Sequence, residues 1–246
     1  MINKSYWHSR LYLFIILLGD LMKKILICIL ALLLICGCSN ETESKKFKKD
    51  YESLNGKSSS YGEYRTLNID ENSFVFSSSD EIIKMIENNE SFYVYFGDKA
   101  CPWCRSVIEK AITISKKYSV SKIYYINIWD DNHNEILRDK YELKDGVPVK
   151  VSDGDKNYQK LLEYFNDYLK DYTLTDKENN VISVGEKRIF APTFIYVENG
   201  KAIRETTGIS EKLTSPFDEL TEEILKDEEK LFNDFFGADL AYSDKC

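Results

Sequence analysis

Two periods of apolar residues alternate along the middle of the chain. "SFYVYFG" (91–97) and "KIYYINIW" (122–129) are short, nearly continuous apolar runs, the pattern of buried strands. Between them, "PWCRSVIEKAITISKKYSV" places Val107, Ile108, Ala111, Ile112 and Ser115 on one side of a helix. Upstream, "SSSDEIIKMIENNE" (77–90) opens with a capping box from Ser78 to Glu81 and repeats Ile82, Ile83, Met85 and Ile86, a short helix. "EYRTLNI" reads as a first strand. "APTFIYVENGKAIRETTG" reads as two strands joined at Asn199-Gly200, where both positions tolerate positive φ. The last pattern, "SPFDELTEEILKDEEKLFNDFFG", predicts a helix with Ser215 as N-cap, Pro216 in its first turn and Gly237 beyond its end. Phe217, Leu220, Ile224, Leu231 and Phe235 fall on one face of it. Residues 130–188 break the rhythm: "NHNEILRDKY" and "KNYQKLLEYFNDYLKDY" have helical spacing, and "YTLTDKENNVISV" reads as a hairpin around Asn179 and Asn180. A helix between two apolar strands predicts a parallel pair joined by a crossover, and the hairpin adds antiparallel strands. The expected fold class is α/β, a central mixed sheet flanked by helices, with a largely helical insert at about 130–188.

The N-terminus has a different pattern. "MKKILICILALLLICGCSN" (22–40) has a charged start at Lys23 and Lys24, an apolar stretch from Ile25 to Ile35 and then "ICGC", the order of a signal peptide. Ile35, Cys36, Gly37 and Cys38 resemble the lipobox of bacterial lipoproteins, which implies lipidation of Cys38; Cys36 departs from the residue usual at its place. The apolar core falls short of the roughly 20 residues of a spanning helix. Extending it through "LYLFIILL" would bury Asp20, Lys23 and Lys24. Met22 is the expected start, with residues 1–37 an upstream extension plus leader. Residues 38–63, rich in Ser, Lys, Glu and Asn, read as the lipid site and a flexible tether, and 64–246 as the folded domain. An uncleaved anchor is the alternative.

Charge narrows the function. The first 37 residues carry Lys4, Arg10, Lys23 and Lys24 against Asp20, a net +3, which leaves −11 of the formal −8 for the rest. That acidity argues against a nucleic-acid binder that tracks phosphates. Of six cysteines, Cys28 and Cys36 lie in the leader, and Cys101, Cys104 and Cys246 remain for the folded part. That is too few for a scaffold of structural disulfides.

Cys101 and Cys104 can hold a metal, staple a loop or exchange electrons. A strand running directly into C-x-x-C, with a helix starting at the first cysteine, is the redox arrangement. A zinc site would need His133 or Cys246 to join, and there is no second C-x-x-C. At the N-cap, free backbone N–H groups and the helix dipole favour the Cys101 thiolate, and Pro102 loses nothing at the first helical position. Lys99 and Arg105 add positive charge nearby. Cys104, one turn inside, is placed to attack a mixed disulfide on Cys101 and release the product.

"FYVYFGDKACPWC", then "APTFIYVENGK" and "TTG", resemble the thioredoxin fold over roughly residues 64–237 apart from the insert. The resemblance implies a cis-proline at Pro192 facing the cysteines, with Ala191 offering backbone hydrogen bonds to a client strand, and a glycine after the hairpin, Gly208. Trp103 with Lys99 would shape the rim, and Trp103 and Pro102 would join Ala191 and Pro192 in binding substrate. Tyr95 stands where the family often has a buried acid. With the lipobox and the insert, the chain is also similar to thioredoxin-like lipoproteins and bacteriocin-transport accessory proteins of low-GC Gram-positive bacteria. These resemblances imply a thiol–disulfide oxidoreductase, lipid-anchored outside the membrane, that needs no cofactor. Its partners would be exported proteins with thiols or disulfides and a membrane or cytosolic source or sink of electrons. A disulfide reductase of the cytochrome-maturation kind and a non-catalytic client-binding accessory lipoprotein of an exporter are the alternatives.

Overall fold

The apolar runs do form one sheet, and a segment read as tether joins its core. The computed structural model describes residues 41–238; Met22, Cys28, Cys36, the lipid site Cys38 and Cys246 lie outside the described residues. The described chain runs α1 (Glu43–Glu52), β1 (Ser58–Ser59), β2 (Gly62–Glu63), β3 (Phe74–Phe76), α2 (Ser79–Glu87), β4 (Phe92–Gly97), α3 (Pro102–Lys117) and β5 (Ile123–Asn127). It continues through β6 (Lys140–Lys144), β7 (Val147–Ser152), α4 (Tyr158–Phe165), β8 (Lys170–Thr175), β9 (Val181–Arg188), β10 (Thr193–Glu198), β11 (Lys201–Thr206) and α5 (Glu222–Gly237).

Five strands pair in the order β11-β10-β4-β5-β3. β4 and β3 each run parallel to β5, whereas β10 runs antiparallel to β4 and β11. α3 makes the crossover that a parallel β4–β5 pair requires. Both faces of the sheet are covered, which explains why β4 shows no polar alternation. Phe92, Val94 and Phe96 pack with α2 and α4, while Tyr95 packs with α1, α3 and α5. The hairpin at Asn199 (φ 49°) and Gly200 (φ 75°) is as expected. Gly208, at φ 68°, leaves no room for a side chain, since a Cβ there would sit 2.1 Å from the Phe232 ring.

Four expectations change. Residues 43–52, assigned to a flexible tether, form α1, capped by the Thr42 side chain accepting from Lys45 N–H. Its polar sequence hides two aromatics at i and i+4, Phe47 and Tyr51. Both are fully buried, with Phe47 stacked at 4.5 Å on Tyr51 and on Phe74. The folded unit therefore begins at Thr42 rather than residue 64. Of "EYRTLNI" (63–69) only Glu63 is strand, the end of β2 (Gly62–Glu63). Beyond that its backbone is satisfied by side chains, with Leu67 N–H donating to Asn55 Oδ1 at 3.0 Å and Ile69 N–H to Glu52 Oε1 at 2.7 Å.

The insert is two hairpins and one helix, not largely helical. In "DDNHNE" the Asp130 carboxylate accepts from Asn132 and Asn134 N–H, both at 2.8 Å, a side-chain turn that competes with helix. Asp145 (φ 52°) and Gly146 (φ 78°) then turn β6 into β7. Half-buried Glu135 binds Arg138 and Arg188, at 2.9 and 3.1 Å to its Oε2. The last helix starts at Glu222 with Thr221 as N-cap, not at Ser215. Ser215 and Asp218 instead close a local turn, Ser215 N–H donating to Asp218 Oδ2 at 2.9 Å. The buried face of α5 is Ile224, Glu228, Phe232, Phe235 and Phe236.

Candidate active site

β4 delivers the chain to the cysteines. Cys101 is the N-cap of α3 with extended backbone (φ −74°, ψ 114°), and its Sγ accepts Cys104 N–H at 3.3 Å. Pro102 occupies the first turn, where no N–H is needed. Both cysteines are buried thiols, Cys104 without any exposure. Burial pushes the Cys104 thiol well above its usual range and the neighbouring Cys101 adds to this; Tyr95 and the Asp98 backbone pull the other way.

The register of the sheet brings the second half of the site to the first. Thr193 pairs with Phe96, so the residues before β10 lie beside the end of β4. The Ala191–Pro192 peptide there is cis. Ala191 O accepts the Cys101 thiol at 3.5 Å. A parallel β-α-β unit carrying C-x-x-C at the head of its helix, an antiparallel hairpin behind it and a cis-proline facing the cysteines define the architecture. The fold is thioredoxin-like.

No family model and no curated protein matches the sequence. Among solved structures it is similar to oxidised thioredoxin O2 from Arabidopsis thaliana, with 16% identity and a TM-score of 0.31 over 56% of this chain and 84% of that chain.

In this thioredoxin-like frame, Trp103, Ala191 and Pro192 line one side of a mainly apolar cavity of about 290 Å³. Leu169, Phe190 and Ile209 complete the apolar wall, with Lys170, Arg188 and Glu205 at its edge. Burial raises the Glu205 carboxyl, with Lys170 acting against it. Pro102 borders a different hollow, shared with Ala100, Trp129 and His133. Among the described residues, no group of three or more His, Cys, Asp or Glu side chains is arranged to hold a metal ion.

The two cations expected to act on Cys101 have partners of their own. Lys99 Nζ binds Asp50 Oδ1 at 2.7 Å and Asp131 Oδ1 at 2.6 Å. Burial works to lower its pKa, but the bonds to Asp131 and Asp50 outweigh it and raise it. Arg105 is 1% exposed and donates to Tyr51 O (2.8 Å), Lys99 O (3.1 Å), Asn55 Oδ1 (2.9 Å) and, through Nε (3.0 Å) and Nη2, to Arg65 O. Its guanidinium thus clamps α1 and the loop before the cysteines to the head of α3.

Sequence reading missed three groups. Tyr51 was hidden in the tether, Tyr95 was read only as a missing acid, and Asp98, three residues before Cys101, was passed over. Tyr51 and Tyr95 join hydroxyls at 2.9 Å beside the cysteines, and burial pushes both phenols well above their usual range. Asp98 is 2% exposed and accepts Ala100 N–H at 2.6 Å. Burial raises its carboxyl from 3.8 to about 7; Ala100 N–H and Lys99 oppose this, and Asp50 and Asp131 add to it. The folded protein therefore keeps a proton that the unfolded chain has released. Its contribution to stability is complete below about pH 4 and is lost as pH rises through about 7. Asp98→Asn is expected to match the wild type in urea unfolding at about pH 4 and to exceed it at about pH 8 by up to about 4 kcal/mol. An equal difference at both pH values contradicts this.

Proposed function

We propose that the protein is a thiol–disulfide oxidoreductase that exchanges disulfides with exported proteins at the outer face of the membrane, held there by lipid on Cys38. The observation that carries the reading is the convergence on Cys101: an N-cap sulfur accepting Cys104 N–H and touching the carbonyl before a cis-proline. Cys101 Sγ, as thiolate, attacks a client disulfide; one client sulfur joins Cys101 and the other leaves as thiolate and takes up a proton. Cys104 then attacks Cys101, the 101–104 bond forms and the second client sulfur is released. Two electrons pass from the cysteine pair to the client, and the reverse sequence oxidises a client dithiol. A membrane or cytosolic partner resets the pair. Ala191 and Pro192 seat the client backbone, and Trp103 with the apolar cavity receives a side chain beside its cysteine. Lys99 and Pro102 form the rim.

Reduction of insulin disulfides and oxidation of a reduced client are the tests, with wild type against Cys101→Ser. Turnover in at least one direction, lost in Cys101→Ser, is expected. Equal behaviour of the two proteins in both directions rules out the enzyme and favours a client-binding accessory role. A potential of the 101/104 couple near about −270 mV marks a reductant of clients, and one near about −120 mV an oxidant. Release of Cys38→Ser from the membrane fraction tests the anchor; retention contradicts it.

A further inference from the structure

We propose that the cavity beside Cys101 selects clients that carry a tyrosine next to the reacting cysteine, with Glu205 and Lys170 reading the phenol; this deepens the oxidoreductase reading above and rests on it. Ala191 joins the two places. Its carbonyl accepts the Cys101 thiol at 3.5 Å, and the same residue lines the cavity. A client chain bonded to Cys101 and running along Ala191 and Pro192 therefore passes the cavity close to its own cysteine. The volume, about 290 Å³, suits one large side chain and lies at the lower limit of small-molecule sites. The insert makes the far wall. Glu205 stands opposite Ile195 across the β10–β11 pair, and Ile195 shares a buried cluster with Leu161 and Phe165 of α4. The Glu205 carboxyl thus lies on the sheet face that the insert covers, where the residue is half-buried. Leu169 and Lys170 come from the insert itself, where β8 begins.

Three charged residues line this cavity, and one is already engaged. Arg188 is 8% exposed; its guanidinium donates to Asp139 O and Glu135 Oε2, at 3.1 Å each, and covers the Tyr172 ring at 4.2 Å. Among the described residues, neither the Glu205 carboxyl nor Lys170 Nζ has a hydrogen-bond or ion-pair partner; they attract each other only through space. The occupant must therefore fill an apolar space and meet one acceptor and one donor at its edge. An acidic side chain would face Glu205, a lysine or arginine would face Lys170, and a phenylalanine would leave both charges unpaired where water is partly shut out. Tryptophan can only donate. A tyrosine brings an aromatic body and a hydroxyl that donates to the Glu205 carboxylate while accepting from Lys170. Glutamine has both functions but lacks the apolar body.

The test is a competition in the full-length Cys104→Ser protein, where exchange stops after one step. The Cys101 thiolate attacks a symmetric peptide disulfide; one peptide joins Cys101 and the other leaves as its thiolate. Peptides identical except for Tyr, Phe, Ala, Lys or Glu beside the cysteine, on either side of it in separate sets, are mixed in pairs. The adducts on the fragment containing Cys101 are compared by mass at equilibrium. The Tyr adduct is expected to exceed the Phe adduct about fivefold, and Phe to exceed Ala about tenfold. In Glu205→Met/Lys170→Met the preference for Tyr over Phe should vanish or invert while that for Phe over Ala persists, a combination that general loss of structure does not produce. Lys170→Met alone raises the Lys peptide relative to Tyr, and Glu205→Met alone raises the Glu peptide. Equal Tyr and Phe adducts in the parent, or a Tyr preference that neither substitution moves, overturns the proposal. Lys170 is exposed, so its single variant carries the test if Glu205→Met does not fold. Adducts at Cys101 without any preference remove the pocket alone. No adduct with any peptide, together with no turnover of insulin, removes the oxidoreductase reading and the proposal with it.

Discussion

Arg105→Ala is expected to lower folding stability by about 4 kcal/mol or more and to abolish disulfide exchange at temperatures where the wild type works. The side chain is 1% exposed, yet all of its N–H groups have acceptors. Truncation leaves the carbonyls of Tyr51, Arg65 and Lys99 without this donor, while Asn55 Oδ1 keeps Leu67 N–H, and each buried acceptor so orphaned costs about 1–3 kcal/mol. The carbonyls belong to α1, the segment after β2 and the loop before Cys101, so the loss falls on the elements that hold the active site. Arg105→Lys keeps the charge but not the planar fork, and should recover less than half of the loss. Urea unfolding of the three proteins measures both effects. A loss under about 1 kcal/mol for Arg105→Ala contradicts the clamp.

The same contacts revise the role of the polar segment after Cys38. Two residues of α1 reach the redox region through three contacts: Asp50 pairs with Lys99, Tyr51 O accepts from Arg105, and Tyr51 Oη bonds Tyr95. A lipid anchor at Cys38 would therefore be separated from the folded unit, which begins at Thr42, by only a few residues.

What was legible in the chain was what local physics specifies. β4, α3 and β5 announce themselves because their apolar residues have unmixed periods. Asn199-Gly200 turns where it should because few other pairs tolerate two positive φ values. The pairing of "ACPWC" with "APT" was legible through a resemblance, and the β4–β10 register places them side by side. Illegible parts are those where tertiary contacts override local pattern. α1 has two apolar anchors among charged residues, and only the aromatic cluster around Phe74 and Tyr125 reveals why it stays. "NHNEILRDKY" has helical spacing, but Arg138 and Asp139 are buried in the insert, with half-buried Glu135 between Arg138 and Arg188. Asp145-Gly146 carried the same hairpin signal as Asn199-Gly200 and was overlooked in favour of the helical pattern before it. The site followed the same division: Cys101, Cys104, Ala191 and Pro192, expected from motif, lie together in the structure, whereas Tyr51 and Asp98 are buried nearby, which no spacing displays.

The most direct test of the account is covalent. Cys104→Ser removes the attacking group of the resolving step and leaves Cys101 in place. A neighbouring thiol held in contact acts at an effective concentration far above any thiol in solution, so its loss should lengthen the life of a mixed disulfide by on the order of 100-fold or more. Incubated with a disulfide-bonded client, Cys104→Ser is predicted to accumulate a one-to-one adduct joined through Cys101 Sγ. The adduct should be released by reductant, be transient in the wild type and be absent from Cys101→Ser/Cys104→Ser. No adduct with Cys104→Ser, or one that forms equally without Cys101, would contradict the assignment of this pair as the exchanging disulfide.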